Sequence, residues 1–403
     1  MNWILKKTKG DAVIWAVVIL LSIFGLLAVY SSTGTLAYKK QGGNTEFYLF
    51  KHLSFLTFGL ILMYLSHLVN FKYYSRISQI LLILSFVLLP YTLFFGTDIN
   101  DARRWITLPV IGFTFQTSDL AKLALIMYVA RFLSKRQDEI KDFKKSFLPV
   151  TITIALICAL IMPANLSTAL VLFATCLLLM FIGRIAFKHI LLVVGSGALA
   201  ATVLVVMALT LPDDALSKIA RLKTWKHRIE HFAARDNGPV DEREALQTDY
   251  QVVQAKIAIA GGGLIGKGPG NSTQRNFLPH PYSDFVFAII LEEYGLIGAS
   301  FLILLYLVLL FRCIRIVIRS PRAFGALLAV GLSFSLVIQA FINMGVAVNI
   351  FPVTGLPLPL VSMGGTSLIF TSMAFGIILS VSRDVEEKEN SEKQEEGGEV
   401  ATA

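Results

Sequence analysis

Residues 284–311 read DFVFAIILEEYGLIGASFLILLYLVLLF. A helix crosses a bilayer with about 20 mostly apolar residues, and this run is longer than that. It predicts a helix in lipid, opened by Asp284 and interrupted two turns deeper by Glu292 and Glu293. Further apolar blocks lie at residues 12–31, 51–70, 78–96, 116–134, 147–163, 166–183, 188–211, 323–349 and 357–382. Together they predict an all-α polytopic membrane protein with ten transmembrane helices. The composition points the same way: of 403 residues, 55% are hydrophobic and 16% charged, against roughly 25% charged in an average soluble domain. A soluble chain of this length would need far more polar residues to cover its surface. The net charge of +9 does not make it a nucleic-acid binder, because the apolar residues come in long blocks. Cys158, Cys176 and Cys313 form no CxxC pair and no loop-borne even set, so neither a disulfide framework nor a zinc site is expected.

Lys and Arg near span ends favour the cytoplasmic side. Alternate connections carry Lys6, Lys7 and Lys9; Lys72 and Arg76; Arg131 to Lys145; Arg184 and Lys188; and Arg312 to Arg322. These connections are placed in the cytoplasm, which puts both termini there. Residues 32–50, 97–115, 212–283 and 350–356 then lie outside. The large extracytoplasmic loop 212–283, between the seventh and eighth spans, holds ten Lys and Arg. Long segments translocate despite charge. Residues 384–403 hold eight acids, two lysines and no aromatic residue, and are expected to form a disordered cytoplasmic tail. No internal repeat suggests a transporter built from two halves.

Ionisable residues within spans are costly and mark sites by default. Arg103, Arg104 and Trp105 precede Gln116, Ser118, Asp119 and Lys122. At helical spacing Ser118, Asp119 and Lys122 share a face. They form either a self-neutralising pair with interfacial anchors or an anion site, since Arg presents a planar fork to phosphate and Lys a point charge. Residues 163–168 read as a tight turn capped by Asn165, or as a polar site. Residues 261–275 are too rich in glycine for a stable helix, and match neither a Walker loop nor a dinucleotide fingerprint. Gly266, Gly268 and Gln274 could still line an anion with backbone N–H groups. Asp284 is either a first-turn acid that complements the helix dipole or a functional carboxylate. Gln339, Asn343, Thr354, Ser362, Gly364 and Gly365 accompany three prolines that break the last helix near the outer surface. Non-helical backbone at that depth needs protein or water around it.

The order of these motifs resembles the SEDS family of FtsW, RodA and SpoVE. The resemblance runs from Tyr30-Ser31-Ser32 to Gly364-Gly365. It rests on Ala102-x-Arg104-Trp105-Ile106, Phe115-Gln116-x-Ser118-x-Leu120-Ala121-Lys122 and Gly262-Gly263-x-x-Gly266-x-Gly268. With these go Phe277-Leu278-Pro279 leading to Asp284-Phe285-x-Phe287-Ala288, Glu292-Glu293-x-Gly295 and Pro352-x-Thr354-Gly355. Thr117-Ser118-Asp119 departs from the family's Pro-Ser-Glu, and Pro279-His280-Pro281-Tyr282-Ser283-Asp284 from its Pro-Glu-x-His-Thr-Asp. Ala164-Asn165-Leu166-Ser167-Thr168 departs from Pro-Asp-x-Gly-Thr and removes a carboxylate.

The resemblance implies a transmembrane glycosyltransferase domain over residues 1–383. It would polymerise lipid II into glycan strands on the outer face of the inner membrane, with undecaprenyl pyrophosphate as leaving group. Asp284 would be the general base. Arg103, Arg104, Lys122, Ser118, Gln116, Gly266, Gly268, Gln274, Glu292, Asn343, Thr354, Ser362, Gly364 and Gly365 would contact substrate. A divalent cation, Mg or Mn, is an expected cofactor that the residues do not identify. A class B penicillin-binding protein, other divisome membrane proteins and membrane lipid are the implied partners, and nucleic acid is not. Residues 163–168 and 349–355 look most like FtsW of the Bacteroidetes type, which implies septal wall synthesis in cell division. A RodA-type elongation polymerase and a lipid II flippase are the alternatives.

Overall fold

The computed structural model describes residues 9–42, 44–99, 102–108, 113–210, 242–279 and 281–402, and some side chains within them, including that of Arg103, lie outside the description. The helices are α1 (Ala12–Ser32), α2 (Gly34–Gln41), α3 (Thr45–Leu68), α4 (Phe71–Phe95), α5 (Thr117–Lys135), α6 (Leu148–Ile161), α7 (Leu166–Ile182) and α8 (Phe187–Thr210). They continue with α9 (Glu242–Gly262), α10 (Val286–Arg319), α11 (Ala323–Ala347) and α12 (Thr366–Thr402). Each of the ten apolar blocks overlaps a helix among the described residues. Among the described residues seven helices are long and apolar enough to cross a membrane: α1, α3, α4, α6 with the turn from Phe143, α10, α11, and α12 as far as Glu389. α7 and the Phe187–Leu199 part of α8 are shorter apolar helices. α5 carries Asp119, Lys122 and Arg131 along its length.

Four features differ from the sequence expectation. Residues 97–116 are not a plain loop but an antiparallel sheet of β1 (Thr97–Ile99), β2 (Ala102–Leu108) and β3 (Phe113–Gln116), with Trp105 opposite both Thr97 and Gln116. The fold is therefore mostly, not wholly, α-helical. Aromatic and β-branched residues crowd these strands, and they fit a pleated surface. α9 runs through the Gly261-Gly262 step, because the apolar run before it carries the helix to its end. The last helix begins at Thr366 rather than near residue 357, because Pro357, Pro359 and the left-handed Gly365 (φ 50°) cannot continue it backwards. Where a tail without structure is expected, α12 continues as helix to Thr402. Its Glu, Lys and Gln are strong helix formers, and α12 supplies the nucleus that an isolated segment would lack.

α11 and α12 form the interior of the bundle, with α3 packed along α12, α4 along α5, and α10 along α11. α3 and α12 approach through small residues. A Cβ at Gly59 would lie 2.7 Å from Ser372 Oγ, and one at Gly376 would lie 2.3 Å from the Met63 carbonyl. Close backbone approach of this kind drives helix association in lipid, where no hydrophobic term does.

Asp11 caps α1 by accepting from the Val13 and Ile14 N–H groups. It also pairs with Arg312 of α10 at 2.5 Å. Lys9 pairs with Glu387 at 3.1 Å, and Arg319 with Glu389 at 2.9 Å. The start of α1, the end of α10 and the start of the tail thus share one membrane face. The sheet lies at the other, where the Gln116 N–H donates to Thr366 Oγ1 at 3.3 Å.

Candidate active site

Asp284 sits in the turn before α10. The cap position of that helix is Phe285, with no side-chain cap bond, so Asp284 does not serve as its N-cap. It is half-buried, and the Ser283 hydroxyl donates to its Oδ1 at 2.9 Å. The non-helical segment 352–365, between α11 and α12, packs against it. A Cβ at Gly355 would be 3.6 Å from Asp284 Oδ2, so this backbone passes the carboxylate without a side chain in the way. Burial, then the neighbouring Tyr48 and Asp284, hold the Tyr282 phenol above its usual 10.0.

Hydrogen bonds fix the two segments together. Ser362 Oγ donates to the Ser283 carbonyl at 2.7 Å and accepts from the Leu358 N–H at 2.8 Å. The Met363 N–H donates to the Tyr282 carbonyl at 2.9 Å. Asn343 of α11 donates from Nδ2 to both the Asp284 carbonyl, 3.0 Å, and the Leu356 carbonyl, 2.7 Å. Gln339, one turn earlier, donates to the Pro357 carbonyl at 2.8 Å, and Tyr306 of α10 donates to the Pro359 carbonyl at 2.7 Å. The proline-rich backbone has few N–H groups for a regular ladder, so side chains of the buried helices satisfy its carbonyls instead.

Lys122 of α5 is tied to the same segment through Gln339. Its Nζ donates to Gln339 Oε1 at 2.8 Å and lies 3.8 Å from Asp119. The expected Asp119–Lys122 pair is present, but the shorter bond runs to Gln339. Gln116 Nε2 donates to Ser118 Oγ at 2.9 Å, and the Gln116 backbone meets Thr366. Arg104 lines a narrow crevice with Thr117, Ser118 and Ala164, so the arginine strand, the start of α5 and the 163–168 turn converge. Asn165 caps α7 by accepting from the Thr168 N–H at 3.1 Å. Asn and Asp cap helices about equally well, so the missing family carboxylate does not disturb this turn. Thr354, Gly364 and Gly365 lie in the segment facing Asp284. The side chain of Arg103 lies outside the described residues.

Gly266, Gly268 and Gln274, the expected anion-lining residues, lie beside Glu292 and Glu293. Glu292 is fully buried and accepts from Lys267 Nζ (2.6 Å), Ser272 Oγ (2.5 Å), Thr273 N (3.1 Å), Thr273 Oγ1 (2.7 Å) and Gln274 N (3.2 Å). Glu293, also buried, accepts from the Ser31 hydroxyl and from the Ser272 N–H at 3.3 Å. The Lys267 and Gly268 N–H groups donate to the carbonyls of Glu292 and Glu293 at 2.9 Å each. Two carboxylates inside a bundle need donors, and the glycine-rich segment supplies them. Its glycines permit contact of backbone with backbone. α10 breaks at Gly295 (φ 63°), where a Cβ would fall 2.4 Å from the Leu264 carbonyl, and a Cβ at Gly266 would fall 2.2 Å from that of Glu293.

The expected residues therefore divide into two groups. Asp284, Asn343, Ser362, Lys122, Gln116 and Ser118 gather around segment 352–366, while Glu292, Gly266, Gly268 and Gln274 stabilise the kink in α10. Gly355, Gln339, Tyr282 and Ser283 stand in the quoted motifs but are not counted among the expected site residues; the structure makes them neighbours that shape the Asp284 site. Among the described residues no three His, Cys, Asp or Glu side chains converge to hold a metal ion.

The family model described as cell cycle protein, which joins FtsW, RodA and SpoVE, matches residues 11–387. Stage V sporulation protein E of Bacillus subtilis is 33% identical over 382 residues, 94% of this chain and 98% of that protein. The probable peptidoglycan glycosyltransferase FtsW of Geobacter metallireducens is 32% identical over 379 residues, 93% of this chain and 95% of its own. The solved rod shape determining protein RodA of Thermus thermophilus superposes with a TM-score of 0.65 at 26% identity, covering 93% of this chain and 97% of that one. A chain solved in work on the structural coordination of polymerization and crosslinking by a peptidoglycan synthase complex gives a TM-score of 0.69 at 26% identity, covering 93% and 98%. A family match over nearly the whole length, relatives above 30% identity and a shared fold agree, and the chain belongs to the FtsW, RodA and SpoVE family.

Proposed function

We propose that this protein is a peptidoglycan glycosyltransferase that polymerises lipid II, with Asp284 as general base. The observation that carries the reading is the placement of Asp284. Its half-buried carboxylate lies at the start of α10, is bonded to Ser283, and has an open backbone position at Gly355 beside Oδ2. In the reaction the 4-hydroxyl of one sugar attacks the anomeric carbon of the next. The bond from that carbon to the pyrophosphate oxygen breaks, the configuration inverts, and the hydroxyl proton passes to the Asp284 carboxylate. Lys122 and Arg104 lie on the elements that converge near segment 352–366, and with Arg103 they would counter the charge on the departing lipid pyrophosphate. Among the described residues the side chains do not by themselves make a divalent-ion site. A bound cation would have Asp284 as its protein carboxylate and would add charge against the leaving pyrophosphate.

The chain is read as crossing the cytoplasmic membrane ten times with both termini inside, which places the sheet and segment 352–365 outside. The alternating basic connections and the shared face of Lys9 and Glu387 support this reading. A class B penicillin-binding protein is the proposed partner, in line with the peptidoglycan synthase complex that provides one structural neighbour. Relatives named FtsW support a role at the division septum.

The test is polymerisation of fluorescent lipid II by the purified chain with its cognate transpeptidase, beside Asp284→Ala and Asp284→Asn. Both variants are expected to make no polymer while retaining wild-type protein level and partner binding. Near-normal polymer from Asp284→Ala overturns the assignment. Lipid II that changes leaflet without becoming polymer would make the protein a flippase.

A further inference from the structure

At the membrane face opposite the sheet, Lys72 and Arg76 of α4 meet Arg131 and Lys135 of α5 around an open crevice of about 570 Å³. Arg131 Nε donates to Ser75 Oγ at 3.1 Å, which orients one guanidinium along the wall. Among the described residues no acid lines the crevice, and none of the four cations is paired with a carboxylate. The helix dipole accounts for half of this arrangement. Arg131 and Lys135 end α5, where positive charge is favoured, but Lys72 and Arg76 open α4, where it is not. No acid in the first turn of α4 compensates them. The usual bias of basic residues toward one membrane side explains their presence at this face, but not their convergence on one another.

The rest of the lining is apolar. Ile80 and Ile83 border the crevice and are each 66% exposed. Val87 and Phe94, 63% and 72% exposed, carry the same stripe along α4 toward the membrane interior. Four bases with no described carboxylate partner at one end and a lipid-facing stripe leading away from them fit one kind of molecule: a phosphate head with acyl chains. Arg forks bind phosphate oxygens in pairs, and basic pockets between membrane helices recognise anionic headgroups.

We infer that the crevice between α4 and α5 is a binding site for an anionic phospholipid, with its phosphate among Lys72, Arg76, Arg131 and Lys135 and its chains along Ile80, Ile83, Val87 and Phe94. The test uses the full chain in detergent and titrates phosphatidylglycerol by native mass spectrometry, with phosphatidylcholine and inorganic phosphate as separate arms. The variants are Lys72→Gln with Arg76→Gln, which leaves the Arg131–Ser75 bond intact, and Arg131→Gln with Lys135→Gln. Arg315→Gln, an exposed arginine on α10, is the control. Each double variant is expected to weaken phosphatidylglycerol binding roughly tenfold or more, with the control unchanged. Binding that survives both double variants, falls equally in the control, or is matched by phosphatidylcholine overturns the site. Displacement by inorganic phosphate as effective as by the lipid would mean that a soluble phosphate is the ligand, and overturns the lipid assignment. If a double variant is not monodisperse, Lys72→Gln alone is scored, with a loss of about fivefold expected.

Discussion

Glu292→Gln discriminates between a carboxylate that touches substrate and one that holds the fold. The side chain is fully buried, and its two oxygens share five protein donors. Glutamine keeps the shape but replaces one oxygen with an NH2 group. If that group takes the Oε2 position, the charge-assisted bonds from Ser272 Oγ and the Gln274 N–H are both lost: the N–H is left without an acceptor, and the hydroxyl must turn to accept from the amide. Hydrogen bonds to a charged group contribute about 1.5–3 kcal/mol each, so the loss is about 3 kcal/mol or more. Lys267 adds little to this figure, because its side chain is 34% exposed and water screens much of its attraction. The change is local, so global unfolding is the wrong readout. Amide hydrogen exchange over residues 262–276 is the right one. A loss of about 3 kcal/mol in the opening free energy raises exchange there roughly a hundredfold, with the interior of α11 unaffected. Polymerisation should fall through misplacement of α10, with little change in the KM for lipid II. Unchanged exchange over residues 262–276 together with a raised KM would refute the reasoning and return Glu292 to the substrate.

Asn343→Ala removes one amide that serves both the Asp284 and Leu356 carbonyls. Displacing a catalytic group by about 1 Å costs on the order of a hundredfold, so kcat for polymer formation should drop steeply while expression and partner binding persist; activity within twofold of wild type would count against a positioning role. The Tyr282 phenol is held above its usual 10.0 by burial and then by Tyr48 and Asp284. The folded state therefore keeps this proton longer than the unfolded chain does. The stability it contributes is complete below the unfolded pKa of 10.0 and is lost as pH rises through the higher folded value. Tyr282→Phe should flatten the alkaline decline in thermal stability above about pH 10, and an identical decline in both proteins would disprove the link.

The spans were legible because each writes its own signal: a block of apolar residues is a property of contiguous sequence, and lipid tolerates little else. Asn165 as a cap was legible for the same reason, since a cap and its N–H partner lie three residues apart. The sheet was less so, because Arg103 to Leu108 read first as an interfacial loop. The internal contacts of the glycine-rich segment were not legible. Several of its N–H groups donate to Glu292 and Glu293, which are distant enough in sequence that no spacing rule connects them. The tail was read from its charge, while its high content of helix formers joined to α12 decided its conformation.

The sequence by itself determined that this is a polytopic membrane protein, which motifs it carries and in what order, and that Asp284 stands at the mouth of a span. These follow from local composition and periodicity. Tertiary structure decided what each polar residue does. Asn343 and Gln339 of α11 and Tyr306 of α10 come from different parts of the chain and meet on segment 352–366 because its proline-rich backbone leaves carbonyls that buried side chains satisfy, and Lys122 joins them through Gln339. Glu292 and Glu293 are withdrawn from solvent because α10 breaks at Gly295 and another loop fills the gap. In a medium without water every buried charge and carbonyl must find a partner within the protein, and those partners are set by the packing of helices rather than by their order along the chain.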